Sequence, residues 1–367
     1  MNEWYSIKNI DEIDSPALVI YPERVKQNIT LALQMIGDAN KLRPHVKTNK
    51  IAEVCKLMMD AGITKFKCAT IAEAEMLAQI DAKDILLAYQ PVGPKIERLI
   101  KLVKAYPNTT FSCLIDNEET ALQLSNICER NGVLLPIFID VNTGMNRTGI
   151  VPQKVMNLLQ TIKGYKGIQI AGLQAYDGHI RDSDLVVRQA KSDEAFKSIE
   201  LLWQQASTLL QHSLQIVMGG TPTFPTHVHR AHVECSPGTF VFWDWGYKHA
   251  LPDEPFEYAA LLISRVISII DEQTICTDLG HKSVAAENPL PRVHFLNAPG
   301  AVPTAQSEEH LVLQVPAGNQ YKPGDVLYGV PVHICPTVAL YDTAYVIENS
   351  SMVDSWKVIS RNRSINI

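Results

Sequence analysis

No stretch of about 18 consecutive apolar residues occurs in the 367 residues, so a membrane-spanning helix is not expected. A basic excess is missing too: 33 Lys and Arg stand against 39 Asp and Glu, a formal net charge of −6 that supplies no positive field to hold nucleic acid or anionic lipid. Neither partner is expected. Cysteine is sparse and odd in number, and Cys55, Cys68, Cys113, Cys128, Cys235, Cys276 and Cys335 are scattered, which argues against a disulfide framework and for a reducing compartment. The opening MNEWYSIKNIDEIDSP carries acidic residues and no apolar core of signal-peptide length, so a cytoplasmic protein is expected. Low-complexity segments and linkers are absent as well.

What is present is ordinary globular material. With 46% hydrophobic and 20% charged residues the chain can bury a large core, and its length exceeds one simple domain. From residue 41 to about 240, short apolar and β-branched runs alternate with helical patterns, the rhythm of repeated βα units. Eight strand candidates stand at 42–48, 65–70, 84–89, 109–116, 135–142, 168–176, 214–220 and 231–238. Amphipathic stretches such as 71–80, 117–130 and 184–212 lie between them. The pattern predicts an α/β fold, a (β/α)8 barrel of the TIM type, with an open doubly wound sheet as the competing architecture. After about residue 250, ALLISRVISII, HLVLQVP, DVLYGVPVHI and AYVIE are separated by turn signals, which predicts a second, mostly β domain. The expected division is a barrel over 15–248 and a β-rich domain over 249–367 with part of 1–14. The strand SPALVIY (15–21) is a candidate to join the latter.

In a barrel, chemistry belongs at the carboxyl ends of the strands. The first delivers Lys47; the fifth leads to Asp140 and Arg147; the sixth ends at Tyr176 and His179. The seventh runs into Gly219, Gly220 and Thr221, and the eighth into Gly238 and Thr239. A lysine nucleophile, an arginine, an aromatic hydroxyl and two glycine turns with free backbone N–H groups are the parts a pyridoxal phosphate site requires. His179, on a strand-end loop, could exchange protons near pH 7. His333 and Cys335 in HICP are two apart in a predicted strand, hence on one face, and two such ligands can share a metal. His227, His229 and His232 lack a completing cysteine or carboxylate and read as structural.

RPHVKTNK (43–50) resembles the pyridoxal-lysine segment RPHxKTHK of the D-threonine aldolase and D-serine dehydratase family. DVNTGMNRTG (140–149), GLQAYDGH (172–179), GGTPT (219–223), ECSPGTFVFWD (234–244) and VPVHICPTVAL (330–340) continue the resemblance along nearly the whole chain. It implies an alanine racemase-like fold and Lys47 as the residue that holds pyridoxal 5'-phosphate as a Schiff base. It further implies Arg147 near the cofactor phenolate, Tyr176 near the pyridine nitrogen, and Gly219, Gly220, Thr221 and Gly238 at the phosphate, with Thr239 alongside. His333 and Cys335 would hold a catalytic divalent metal, zinc by thiolate preference or else manganese, to activate a substrate β-hydroxyl. Asn49 stands where the family often has histidine, and Tyr21 where it often has aspartate.

The implied reaction is retro-aldol cleavage of a D-β-hydroxy-α-amino acid, D-threonine giving glycine and acetaldehyde. The alternatives are a D-serine or D-threonine dehydratase, an amino-acid racemase, and a non-catalytic cofactor carrier. By the same analogy a homodimer is expected.

Overall fold

A computed structural model describes residues 3–367. They form two compact units, one of Ala32–Lys47, Cys55–Gly238 and Asn362–Ile367, the other of Thr48–Val54 and Thr239–Arg361 together with residues 3–31. The chain passes between the units at Gly238/Thr239, and the early strand β1 (Ala17–Ile20), within the SPALVIY segment named above as a candidate for the later strands, pairs antiparallel with Ala260–Ile263 and parallel with Ala344–Val346. All four β1 residues are buried, and a tetrapeptide with no polar face needs a neighbour on each side.

In the first unit, β2 (Lys65–Cys68), β3 (Asp84–Leu87), β4 (Thr110–Ile115), β5 (Leu135–Val141), β6 (Ile168–Ala175), β7 (Gln215–Met218) and β8 (Val233–Glu234) form a seven-stranded parallel sheet in that order. The eighth expected strand is present only as bridges, Leu42 to Cys235 and His45 to Lys67. Hydrogen bonds from Arg43 N to Cys235 O and from Val46 N to Lys67 O tie this stave to both edges and close the ring. The open-sheet alternative is thereby excluded. Pro44 has no amide hydrogen, which explains why the stave breaks into bridges.

The helices start where their caps stand. Thr70 accepts from Glu73 N while Glu73 reaches back to Ala69 N, Asn117 accepts from Thr120 N, and Asp184 accepts from Val186 N, ahead of helices Ile71–Gln79, Glu118–Arg130 and Leu185–Leu210. Between β7 and β8 only a 3-10 turn, Thr221–Thr223, and one helical turn, Phe224–His227, replace a full helix.

Alternation along the strands separates two kinds of interior. Leu86, Leu114, Phe138 and Val217 form an apolar cluster inside, and Gly172 is required there because a Cβ would lie 2.5 Å from the Phe138 ring. Val217 is in register with Glu234, so Glu234 shares that face. It bonds Arg43 Nε at 2.7 Å and also pairs with Lys65, while Arg43 makes a bidentate pair with Asp84 at 2.6 and 2.9 Å. Staves one, two, three and eight thus supply a charged half to the barrel floor.

In the second unit, β9 (Ala260–Asp271), β10 (Thr274–Thr277), β11 (Val293–Phe295), β12 (Val302–Gln306), β13 (Leu311–Gln314), β14 (Val326–Pro331), β15 (Thr343–Glu348) and β16 (Ser351–Lys357) join β1 in a nine-stranded sheet. β9 is its hub, paired with β1, β10 and β14. HICP is not in a strand: β14 stops at Pro331, and His333 caps a short helix, Ile334–Val338. Pro336 in its first turn has no N–H for a ladder but fits where helix amides are unpaired anyway. No described helix is long and apolar enough to cross a membrane.

Candidate active site

At the carboxyl end of the barrel strands, three cations from three staves surround one ring. Lys47 Nζ lies 5.8 Å from the Tyr176 ring centroid, the Arg147 guanidinium 5.1 Å and Lys67 Nζ 6.0 Å. The ring is fitted between glycines: a Cβ on Gly178 would come within 2.2 Å of the Tyr176 hydroxyl, and one on Gly220 within 2.6 Å of Cε2. Thr143 Oγ1 fixes the Tyr176 carbonyl at 3.2 Å. Lys47, Arg147 and Tyr176 are therefore brought together, and Lys47 and Arg147 line a cavity of about 480 Å³ with His45, Tyr89 and Asp140.

The glycine turns meet as well. Gly219, at φ +87, accepts from Ser236 N at 2.7 Å, and Thr221 Oγ1 accepts from Gly238 N at 3.2 Å. Ser236 Oγ is buried with no hydrogen-bond partner among the described residues, an orphaned donor on the residue whose N–H bonds Gly219 O. A phosphate would satisfy it, so the residues present fit an anionic ligand there.

Beneath the turn lies a buried support. Asp177 accepts from Thr223 Oγ1 and bonds His227 Nε2, each at 2.7 Å, and Arg230 reaches His227 Nδ1 at 2.6 Å. A guanidinium only donates, so Nδ1 accepts and the ring proton sits on Nε2, toward Asp177. Burial alone would push the Asp177 carboxyl up, but the bonds from His227 and Thr223 reverse this and hold it below the usual carboxylate range. His232 stacks on Trp203 at 4.7 Å. The His227 and His232 placements agree with the structural reading of HVHRAH.

His179 lies by the 142–149 loop, where a Cβ on Gly144 would stand 3.1 Å from its Nε2. Thr239 is placed differently from its expected partners: in the second unit its hydroxyl is 3.5 Å from Cys335 Sγ, and Thr48 Oγ1 is 3.1 Å from the same sulfur. His333 and Cys335 are near enough to shift each other's pKa, and they sit at the start of a short helix rather than in the expected strand. Burial raises the thiol's pKa, yet His333 outweighs it and the net shift is downward; His333 itself, despite burial, is raised to about 9 by Cys335 and Glu287. Glu287 holds His333 Nδ1 at 2.5 Å. Asp244, which accepts from Tyr247 N and Ile334 N, is raised to about 6 by burial. A soft thiolate and an imidazole suit zinc, although among the described residues no three His, Cys, Asp or Glu side chains converge as a ligand set.

Several groups escaped the sequence reading. Lys67 in KFKCAT was placed only within a strand candidate, and Thr48, Asp177 and Glu287 belong to no spacing rule. Alternation of Lys65 and Lys67 with apolar neighbours was the available signal, once the interior rather than the exterior is taken as their face.

Comparison with known proteins identifies the family and the fold. Residues 20–244 match the alanine racemase N-terminal domain family, and residues 259–347 the serine dehydratase domain. The chain is 27% identical to a D-threonine aldolase of Arthrobacter sp. over 96% of this chain and 94% of that protein. It is 25% identical to a 3-hydroxy-D-aspartate aldolase of Paracoccus denitrificans over 96% and 93%. The crystal structure of D-threonine aldolase from Filomicrobium marinum superposes with a TM-score of 0.89 at 23% identity, covering 98% of this chain and 99% of that one. The last likeness concerns the fold.

Proposed function

The chain belongs to the alanine racemase N-terminal domain family, and from that premise we propose that it is a pyridoxal 5'-phosphate-dependent lyase of D-β-hydroxy-α-amino acids, working by retro-aldol cleavage. The observation that carries the reading is the gathering of Lys47 and Arg147 around the Tyr176 ring, with Gly220 of the glycine cradle packed against the same ring. Two aldolases among the relatives support the reaction type.

Lys47 supplies the amine that takes the cofactor aldehyde. Gly219, Gly220 and Thr221 offer backbone N–H groups to the phosphate, with Ser236 as a further donor; Gly238, whose N–H holds the Thr221 hydroxyl, shapes the cradle, and Thr239 follows it in the chain. Arg147 supplies positive charge for the ring oxygen, and Tyr176 packs against the ring. When bound, the cofactor supplies the electron sink that lets a bond at Cα break. His179 is the proton acceptor for the substrate β-hydroxyl. His333 and Cys335 would hold the divalent metal, zinc before manganese on donor chemistry, whose contribution is Lewis-acid activation of a hydroxyl. We further propose a homodimer in the cytoplasm; gel filtration showing a fully active monomer would remove the first part.

The test is to supply purified protein with pyridoxal 5'-phosphate and zinc or manganese, add D-threonine, and quantify glycine, acetaldehyde and ammonia together. Glycine with acetaldehyde and without ammonia is the expected result. Ammonia with 2-oxobutanoate would move the protein to the dehydratase reading, which the match of residues 259–347 to the serine dehydratase domain favours.

A further inference from the structure

One buried amine has no part in the reaction above. Lys67 is 4% exposed, and alternation along β2 sends it to the same interior face as Lys65. Lys65 is paired with Glu234, whereas among the described residues no carboxylate forms a hydrogen bond or ion pair with Lys67. The groups that face it are Lys47 and Arg43 on the first stave, Asp140 at the end of β5, and Tyr176 and Asp177 just beyond β6. Both carboxylates are already engaged, Asp140 by Gln174 Nε2 at 3.3 Å and Asp177 by Thr223 and His227. Burial, and next the charge of Lys47, hold the Lys67 ammonium down to about 7. An ordinary surface lysine, with a value near 10.4, is uncharged in only about one molecule per thousand at pH 7.4. A desolvated lysine beside a second cation is the setting in which an amine becomes a nucleophile at neutral pH.

We propose that Lys67 is a second aldehyde-reactive amine of this site, open to small aldehydes, the product class of a retro-aldol cleavage. The Nζ lone pair attacks the carbonyl carbon; a C–N bond forms as the C=O π pair moves to oxygen. Transfer of the two Nζ protons to that oxygen releases water and leaves a C=N bond, with no change of oxidation state. An enzyme that makes an aldehyde near the Tyr176 ring, whose centroid is 6.0 Å from Lys67 Nζ, then carries an amine that competes for it, so prolonged turnover modifies Lys67 reversibly. The proposal rests on the reading given above only for the source of the aldehyde; the amine chemistry stands on the burial and the neighbours of Lys67.

The test treats ligand-free protein at pH 7.4 with acetaldehyde and cyanoborohydride and quantifies ethylation of each lysine by peptide mass spectrometry. Lys67 is expected to be modified at least about tenfold faster than exposed Lys197 and Lys26, with a pH midpoint near 7. Lys47→Met removes the like charge, so the Lys67 midpoint must move upward. Lys67 ethylation no faster than that of Lys197 in the folded native protein overturns the proposal, as does a midpoint above 9. Replacing acetaldehyde by pyridoxal 5'-phosphate reports on Lys47 at its own peptide, so failure of the cofactor reading and failure at Lys67 are seen separately.

Discussion

In the barrel, the interior is divided between Leu86, Leu114, Phe138 and Val217 on one side and Arg43, Lys65, Asp84 and Glu234 on the other. In the nine-stranded sheet, the corresponding volume around β1 and β9 is filled by Val19, Leu261, Ile263, Val330 and Tyr328, with a tyrosine hydroxyl as the most polar group. An apolar interior gains from each methylene removed from water and tolerates loss in proportion. A charged interior has the opposite economy: desolvation consumes most of the Coulomb attraction, and the structure holds only while every charge keeps its partner. Similar burial therefore predicts different failures.

The sharpest contrast comes from Arg43→Met. The side chain is 2% exposed and satisfies both Asp84 and Glu234. Its removal leaves Asp84 without its partner and Glu234 with Lys65 alone, which should cost about 3–5 kcal/mol in urea unfolding. Ile263→Ala in β9 is the apolar counterpart, 0% exposed at the hub of the other sheet. A cost of about 3 kcal/mol is expected, since truncation of a buried isoleucine combines lost transfer energy with a cavity. If Ile263→Ala proved the more damaging by 2 kcal/mol or more, the distinction between the two interiors would not hold.

Asp177→Asn sharpens the comparison through pH. Its carboxylate is buried, and the bonds from His227 and Thr223 hold its pKa below the unfolded value of about 3.9. That stabilisation is fully present above about pH 4 and is lost as pH falls through the depressed folded value. The stability difference between native protein and Asp177→Asn should stay constant from pH 5 to 8 and shrink below pH 4. A difference that instead grew on acidification would mean that the carboxylate is a burden to the fold rather than a support for the glycine turn.

The same contrast explains what could be read from the letters. Runs such as ALVI, DILL and TFSCLI announce strands, and Thr70, Asn117 and Asp184 announce helix starts, because apolar periodicity and capping are local. Lys47, Arg147 and Tyr176 were legible because barrel chemistry sits at strand ends. Lys67 was not, since a lysine alternating with apolar residues looks the same whether its face meets solvent or a polar barrel floor. The step from strand to helix at His333 was hidden for a related reason: VPVHI has strand composition, and only the proline at 336 marks the turn. β1 belongs with strands more than 200 residues later; its apolar run offered it as a candidate for that domain, but no local pattern encodes which strands it pairs with.

The smallest effect is expected at the rim of the apolar unit. Trp4 is 37% exposed; the Arg24 guanidinium lies 3.8 Å from its ring centroid, and the ring meets the edges of Tyr21 and Tyr5 at 5.1 and 5.7 Å. Arg24 keeps its bond to the Tyr258 carbonyl when the indole is lost, so Trp4→Leu removes the cation–π attraction without stranding a charge. The substitution should therefore cost about 0.5–1 kcal/mol by urea unfolding. A loss near 3 kcal/mol would place Trp4 with Ile263 in the core, whereas no loss would mean that water replaces the ring over Arg24 without penalty. The intermediate value is required because half-exposed aromatic contact still excludes water from the guanidinium face while leaving its hydrogen bonds to protein intact.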